Sequence, residues 1–217
     1  MANFNTRRTM MVDTQVRPSD VTKFPIIDAM LSVPREAYVP DTLREAAYVG
    51  ENLTLPGGRT MLEPRTFAKM LDAVDVRPND VVLDVACGLG YSTAVLAQMA
   101  EFVAGLEDDA DRAAEAQANL SDNAVDNAVV MAGPLTEGLA KSAPYDVILI
   151  HGAVEQVPAA LIDQLRDGGR IAALFAEGAL GTVRIGLKRD GRIGWRFGFN
   201  AGAPVLAGFG KTRAFAL

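Results

Sequence analysis

The stretch Val82-Leu83-Asp84-Val85-Ala86-Cys87-Gly88-Leu89-Gly90-Tyr91-Ser92 decides how this chain folds. Val81 to Val85 is an apolar run of strand length interrupted only by Asp84, and Ser92 to Met99 reads as a helix. The glycines between them allow a sharp turn and a close approach of the backbone to a ligand. A helix that begins at such a turn favours a negatively charged group at its amino terminus. A dinucleotide would suit these features, but its fingerprint requires a third glycine three residues after the second. That position is Thr93. Asp84 ends the strand directly ahead of the turn, where a carboxylate would face the methionine part of S-adenosylmethionine. The spacing therefore favours S-adenosylmethionine over a nicotinamide dinucleotide.

Downstream of this corner, strand-length apolar runs alternate with helical stretches, the pattern of βαβ units around a parallel sheet. Phe102 to Leu106 is the second strand and Ala110 to Leu120 its helix. Ala128 to Met131 and Asp146 to Ile150 are the third and fourth strands. Val157 to Gln164 is a helix stopped by Gly168-Gly169, and Arg170 to Phe175 follows as the fifth strand. Gly181 to Leu187, Gly191 to Phe199 and Thr212 to Leu217 read as closing strands, with a hairpin turn at Asp190-Gly191. The expected architecture is an α/β Rossmann-like class I methyltransferase fold, mostly parallel, with antiparallel strands at its carboxyl end.

Glu107 ends the second strand, where a carboxylate can accept both hydroxyls of a ribose. Asp108 and Asp109 come next, and the ribose role stays open among the three. The same acids could simply cap the following helix and complement its dipole.

Upstream, about Asn5 to Val49 reads as helices broken by prolines. Ser19 is placed as the cap of a helix carrying Val21, Ile26, Ile27, Met30 and Leu31, with Pro25 in its first turn. Pro34 and Pro40 bracket a short stretch from Arg35 to Val39. Glu51 to Pro64 reads as a loop turning at Gly57-Gly58, and Pro64 as the first residue of a helix running to Val74. The 217 residues fit one domain, with 1–64 as a helical extension and loop and 65–217 as the core.

Composition narrows the function classes. A 49% hydrophobic content supplies a substantial core, and a net charge of −6 opposes nucleic-acid binding, which depends on neutralising phosphates. The densest basic cluster, Lys188, Arg189, Arg192 and Arg196, is read as a solvated sheet edge. One cysteine, Cys87, and one histidine, His151, exclude an internal disulfide and the usual zinc sets, so no metal is expected. No segment approaches the roughly 20 apolar residues of a membrane span. The cytoplasm is the expected compartment, with neither nucleic acid nor membrane as partner. The sequence carries no signal for an oligomeric state.

Several ordered segments resemble one family. Val33-Pro34-Arg35-Glu36-Ala37-Tyr38-Val39-Pro40 is similar to the V-P-R-E-x-F-V segment of protein-L-isoaspartate O-methyltransferases. Asn52-Leu53-Thr54-Leu55-Pro56 with Arg59-Thr60-Met61-Leu62-Glu63-Pro64 resembles their loop ending T-I-S-x-P. Leu83 to Ala94 resembles L-E-I-G-x-G-S-G-Y-x-x-A, including Tyr91. Pro144-Tyr145-Asp146, Val157-Pro158 and Leu165 to Arg170 align in the same order, so the likeness runs from about Val33 to Phe175.

The resemblance implies a Rossmann-like fold with added helices, S-adenosylmethionine as cofactor, and methyl ester formation on isoaspartyl residues of damaged proteins or peptides. It places the cofactor against Asp84, Ala86, Gly88, Gly90, Tyr91, Glu107, Gly133 and Pro134. The substrate loop falls on Thr60, Leu62 and Glu63. Three positions depart from the family. Leu62 replaces its loop serine, Ala86 replaces the first glycine of the cofactor turn, and Pro134 replaces the aspartate that contacts adenine.

A carboxylate acceptor is already ionised near neutral pH, so its methylation needs positioning more than a general base. Leu62 cannot hold that carboxylate as a hydroxyl would. Glu63 would repel it if it pointed inward, or it is a solvated acid at a helix start. His151, closing the fourth strand, is a substrate contact or base, or else a residue that satisfies nearby backbone. Cys87 is read as a packing residue. The expected activity is isoaspartyl O-methylation; the alternatives are a divergent paralogue with another acceptor and a non-catalytic cofactor-binding module.

Overall fold

The computed structural model describes residues 3–177 and 180–211, and the closing strand expected at Thr212 to Leu217 lies outside the described residues. The chain opens with α1 (Phe4–Met11), a π turn and a 3-10 turn, then α2 (Phe24–Ser32). Lys23, not Ser19, precedes α2; Ser19 ends the 3-10 turn and turns its hydroxyl back onto the Gln15 carbonyl. Pro25 does sit in the first turn of α2, where a missing N–H costs nothing.

The segment expected as a loop contains a small antiparallel hairpin, β1 (Leu53–Leu55) with β2 (Arg59–Met61). Next comes α3 (Pro64–Val74), whose Phe67, Leu71 and Val74 share one buried face at helical spacing.

The core follows as β3 (Val81–Val85), α4 (Tyr91–Ala97), β4 (Phe102–Glu107), α5 (Ala110–Asp122), β5 (Ala128–Ala132), β6 (Tyr145–Val154), α6 (Ala159–Asp163), β7 (Leu165–Glu177), β8 (Leu180–Arg189) and β9 (Arg192–Asn200). Seven strands form one sheet in the order β5-β4-β3-β6-β7-β8-β9. The first five in that order are parallel, and β8 and β9 are antiparallel. This is the α/β arrangement expected from the alternating pattern.

Both sheet faces are covered, which is why the strands read as unbroken apolar runs. Along β6, Val147 and Leu149 enter one core with α3, α4 and the amino-terminal helices. Ile148 and Ile150 enter the other, with Leu161, Leu206 and Phe209. Burying each such side chain contributes about 1.5–3 kcal/mol.

Gly168-Gly169 does not precede the fifth strand; it lies inside β7. Tyr145 pairs with Leu165 and Val147 with Arg170, so residues 166–169 bulge out of the ladder, and Gly168 at φ 79 makes that possible. At the β8–β9 turn, Asp190 and Gly191 both have positive φ, as a tight two-residue hairpin requires. Among the described residues, no helix is long and apolar enough to cross a membrane.

From β3 the chain moves outward through β4 and β5, then returns to β6 on the other side of β3. That reversal opens a crevice at the carboxyl ends of β3, β4 and β6, the usual ligand position in an open α/β sheet.

Candidate active site

Asp84, Glu107 and His151 converge on this crevice from β3, β4 and β6, and each is buried. Asp84 accepts hydrogen bonds from the Ser92 and Thr93 hydroxyls, both at 2.7 Å to Oδ2, from the first turn of α4. His151 Nε2 lies 2.6 Å from Asp84 Oδ1 but off-line, so neither atom gains a well-formed hydrogen bond. The imidazole also packs edge-on to Phe67, with ring centroids 5.4 Å apart. His151 is therefore held by the protein itself at the floor of the crevice.

The turn between β3 and α4 wraps around Glu107. Gly88, at φ 62, donates its N–H to Glu107 Oε1 at 2.7 Å. Gly90, at φ 97, is the residue before α4; a side chain there would press on the Ala116 carbonyl. Ala86 stands where a glycine would be easier: its φ is 60, a region that costs a residue with a Cβ about 1–2 kcal/mol. Its N–H, bonded to the Leu106 carbonyl at 2.9 Å, holds that conformation. Cys87 beside it is buried. Burial first, then the charges of Asp84 and Glu107, push its thiol well above the ordinary range, which makes it a packing group.

Of the three consecutive acids, Glu107 is the buried one, at the end of β4. Asp109 is the N-cap of α5, accepting from the Arg112 N–H at 2.8 Å. Asp108 is partly exposed. Gly133 donates its N–H to the Glu107 carbonyl at 2.8 Å, placing Gly133 and the exposed Pro134 at the adjacent end of β5. Tyr91 lies beneath the Arg35 guanidinium, 4.7 Å from its ring centroid, and burial raises its hydroxyl pKa.

The amino-terminal segment roofs the crevice. Thr60 and Leu62 are buried there and line the same small cavity as Ala86, Gly88, Tyr91 and His151. Glu63 turns away: its carboxylate accepts from the Thr66 hydroxyl at 2.6 Å at the start of α3, with Arg65 nearby. The acid that would have repelled a substrate carboxylate is a helix-start group instead. The cavity holds only about 20 Å³, far below the several hundred Å³ of ordinary ligand pockets.

Two arginines close over Glu107, and neither was singled out from the sequence. Arg59 Nε lies 3.0 and 2.9 Å from the two Glu107 oxygens, and its Nη2 is 2.5 Å from Asp108 Oδ1. Arg112 Nη1 adds a contact at 2.9 Å to Glu107 Oε2. Arg35 is also buried, donating to the Ala47 and Leu62 carbonyls at 2.6 and 2.8 Å, while its Nη1 has no hydrogen-bond partner. Arg59 opens the quoted loop segment and Arg112 lies in the expected helix Ala110 to Leu120, but neither carried a role there. Their pairing with Glu107 is a product of the fold.

A parallel sheet with reversed strand order, a glycine turn clasping one acid and a second acid on the neighbouring strand define a class I methyltransferase fold. Comparison with known proteins narrows the class. Residues 7–185 match the family model described as Protein-L-isoaspartate(D-aspartate) O-methyltransferase (PCMT). A protein-L-isoaspartate O-methyltransferase of Koribacter versatilis is 36% identical over 193 residues, 89% of this chain and 87% of that protein. One from Methanoculleus marisnigri is 34% identical over 186 residues, 86% and 84% of the two chains. In fold, a solved protein-L-isoaspartate O-methyltransferase superposes with TM-score 0.83 at 20% identity, over 95% of this chain and 67% of that one. A Plasmodium falciparum structure named for the same activity, in complex with S-adenosyl-L-homocysteine, has TM-score 0.78 at 19% identity, over 95% and 99%. The chain belongs to the protein-L-isoaspartate O-methyltransferase family, whose enzymes are S-adenosylmethionine-dependent O-methyltransferases.

Proposed function

We propose that the chain carries out S-adenosylmethionine-dependent methyl transfer to an isoaspartyl carboxylate of a protein or peptide. The observation that carries this reading is the placement of Asp84 and Glu107 at the carboxyl ends of adjacent parallel strands, with the Gly88-Leu89-Gly90 turn between them. Glu107 is the acid suited to ribose hydroxyls and Asp84 the one suited to the methionine end. Ala86, Gly88, Gly90 and Tyr91 shape the wall, and Gly133 and Pro134 border the adenine end. Pro134 offers shape there but no carboxylate. The bound cofactor supplies an electrophilic methyl group; the chain's own residues bind and orient.

Arg35 is the group suited to hold the acceptor. It is fully buried, lines the cavity beside Thr60 and Leu62, and has no carboxylate within 4.0 Å among the described residues. A buried cation without a partner is costly, and burial already works against its charge. An incoming carboxylate would relieve that cost, offsetting the hydroxyl lost at Leu62. No general base is required, so His151 acts as a positioning residue through its contact with Asp84. Labelled methyl transfer from S-adenosylmethionine to an isoaspartyl peptide tests the reading. Base-labile methyl ester above the level of the matching aspartyl peptide is expected, and equal counts on the two peptides would refute it.

A second reading, a paralogue with a different acceptor, draws on Leu62, whose apolar side chain replaces the loop hydroxyl inside the cavity. Cofactor binding without ester on the isoaspartyl peptide would favour it, or a non-catalytic module if no acceptor is found.

A further inference from the structure

The β1–β2 hairpin occupies the region where the cofactor reading puts its ligand. Leu55 Cδ1 comes within 3.2 Å of the point where a Gly88 side chain would begin, so the space left by that glycine is filled from above. Gly57, at φ 69, lies directly against the Arg112 guanidinium, which would have to shift to admit a side chain there. Arg59, directly across the hairpin from Leu55, holds both Glu107 oxygens and Asp108. With Arg112 and the Gly88 N–H added, both oxygens of Glu107 are engaged and the residue is fully buried.

We infer that Arg59 is a latch: it competes with the ribose hydroxyls for Glu107, and the hairpin of residues 53–61 must lift before the cofactor site can form. This inference rests on the cofactor assignment proposed above. The competition is chemical as well as spatial. A guanidinium presents its fork of N–H donors to a carboxylate, and a charge-assisted pair of this kind outbids neutral hydroxyl donors at the same oxygens. The hairpin itself is suited to opening, because its strands are three residues long and pair only with each other. Once Arg59 leaves, Glu107 keeps Arg112 and the Gly88 N–H, so the carboxylate is not stranded.

If the competent form is a minority, the apparent affinity falls in proportion to its population, and removing the latch restores it. Calorimetric titration with S-adenosyl-L-homocysteine should therefore show Arg59→Gln binding on the order of tenfold tighter than the unaltered chain. Asp108→Asn, a milder change at a partly exposed residue, should tighten binding about two- to threefold by loosening the same arginine. Hydrogen exchange supplies a readout independent of affinity: amides of residues 53–61 should exchange faster in Arg59→Gln before any ligand is added.

Equal or weaker binding by both variants, with the unaltered chain binding well, would overturn the latch and leave the cofactor assignment standing. No binding by any of the three chains, with far-ultraviolet spectra unchanged, would overturn the assignment itself and the latch with it.

Discussion

The two ends of the central sheet treat charge in opposite ways. At the carboxyl end, Glu107 is packed against Arg59 and Arg112, Asp84 is buried on the adjacent strand, and the cavity there is only about 20 Å³. At the amino end, between the close of α3 and the β8–β9 hairpin, lies an open groove of about 680 Å³ lined by Arg77, Arg166, Arg170, Arg189, Arg192 and Arg196. Arg170 is tied to Asp80 at 2.6 Å, Arg166 to Asp146, and Arg196 to the Ala73 carbonyl at 3.0 Å. Arg189 and Arg192 are exposed and have no acidic partner within 4.0 Å among the described residues. The larger of these two hollows therefore lies away from the proposed site, which has little empty space. Cavity size alone points to the amino end. Convergence of buried acids at the strand reversal points to the carboxyl end, and the proposed function follows the acids.

Substitutions at the two ends should differ sharply in cost. The largest effect belongs to Glu107→Ala, which removes the buried counter-charge of Arg59 and Arg112 and leaves them only the partly exposed Asp108. A loss of about 3 kcal/mol is expected in urea unfolding, and S-adenosyl-L-homocysteine affinity should fall as well. A stability change within experimental error would show that the buried cluster contributes nothing net. Leu62→Ser comes next. Removing a buried leucine costs about 2–3 kcal/mol through the cavity left behind, while the new hydroxyl should raise ester formation on an isoaspartyl peptide. Activity that stays flat would rule out Leu62 as the limiting departure.

Arg192→Ala, in the open groove, should change stability by no more than about 0.5 kcal/mol, as for an exposed side chain without a buried partner. A cost comparable to that at Glu107 would break the comparison. Smallest is the pH effect at Asp75 on the groove rim. The hydrogen bond from Lys23 at 2.8 Å, set against partial burial, holds its carboxyl below the ordinary value of 3.8. A depressed folded-state pKa gives stability that is present above the unfolded value and lost as pH falls through the folded one. Asp75→Asn should therefore flatten the acid limb of a stability profile below about pH 4, by only about 0.3 kcal/mol because the pair is exposed. An unchanged limb would remove Asp75 from the account.

The sequence was most legible where local pattern and tertiary role coincide. Val81 to Val85, the glycine turn and the helix behind it were readable because a doubly buried strand is apolar throughout and the turn needs glycine. Gly168-Gly169 misled for the opposite reason: a glycine pair looks like a stop, yet a bulge absorbs it within β7. The β1–β2 hairpin escaped notice because three-residue strands are too short for an alternation to register, and Pro56-Gly57-Gly58 dominates the segment. Ser19 offered a capping side chain, but the chain makes a 3-10 turn first and α2 begins after Lys23. Within the site, Asp84 and Glu107 could be found from their strand-end positions. Arg59 could not, because its partner lies 48 residues away and only the fold brings them together.

Cys87 carries a practical consequence. Its sulfur is the only thiol in the chain, sits at the turn beneath the hairpin, and is shielded and protonated while that turn is covered. An alkylating reagent can reach it only during excursions that expose the corner. The rate at which the label appears in a mass spectrum is thus an internal clock for how often this part of the molecule breathes, without any engineered probe.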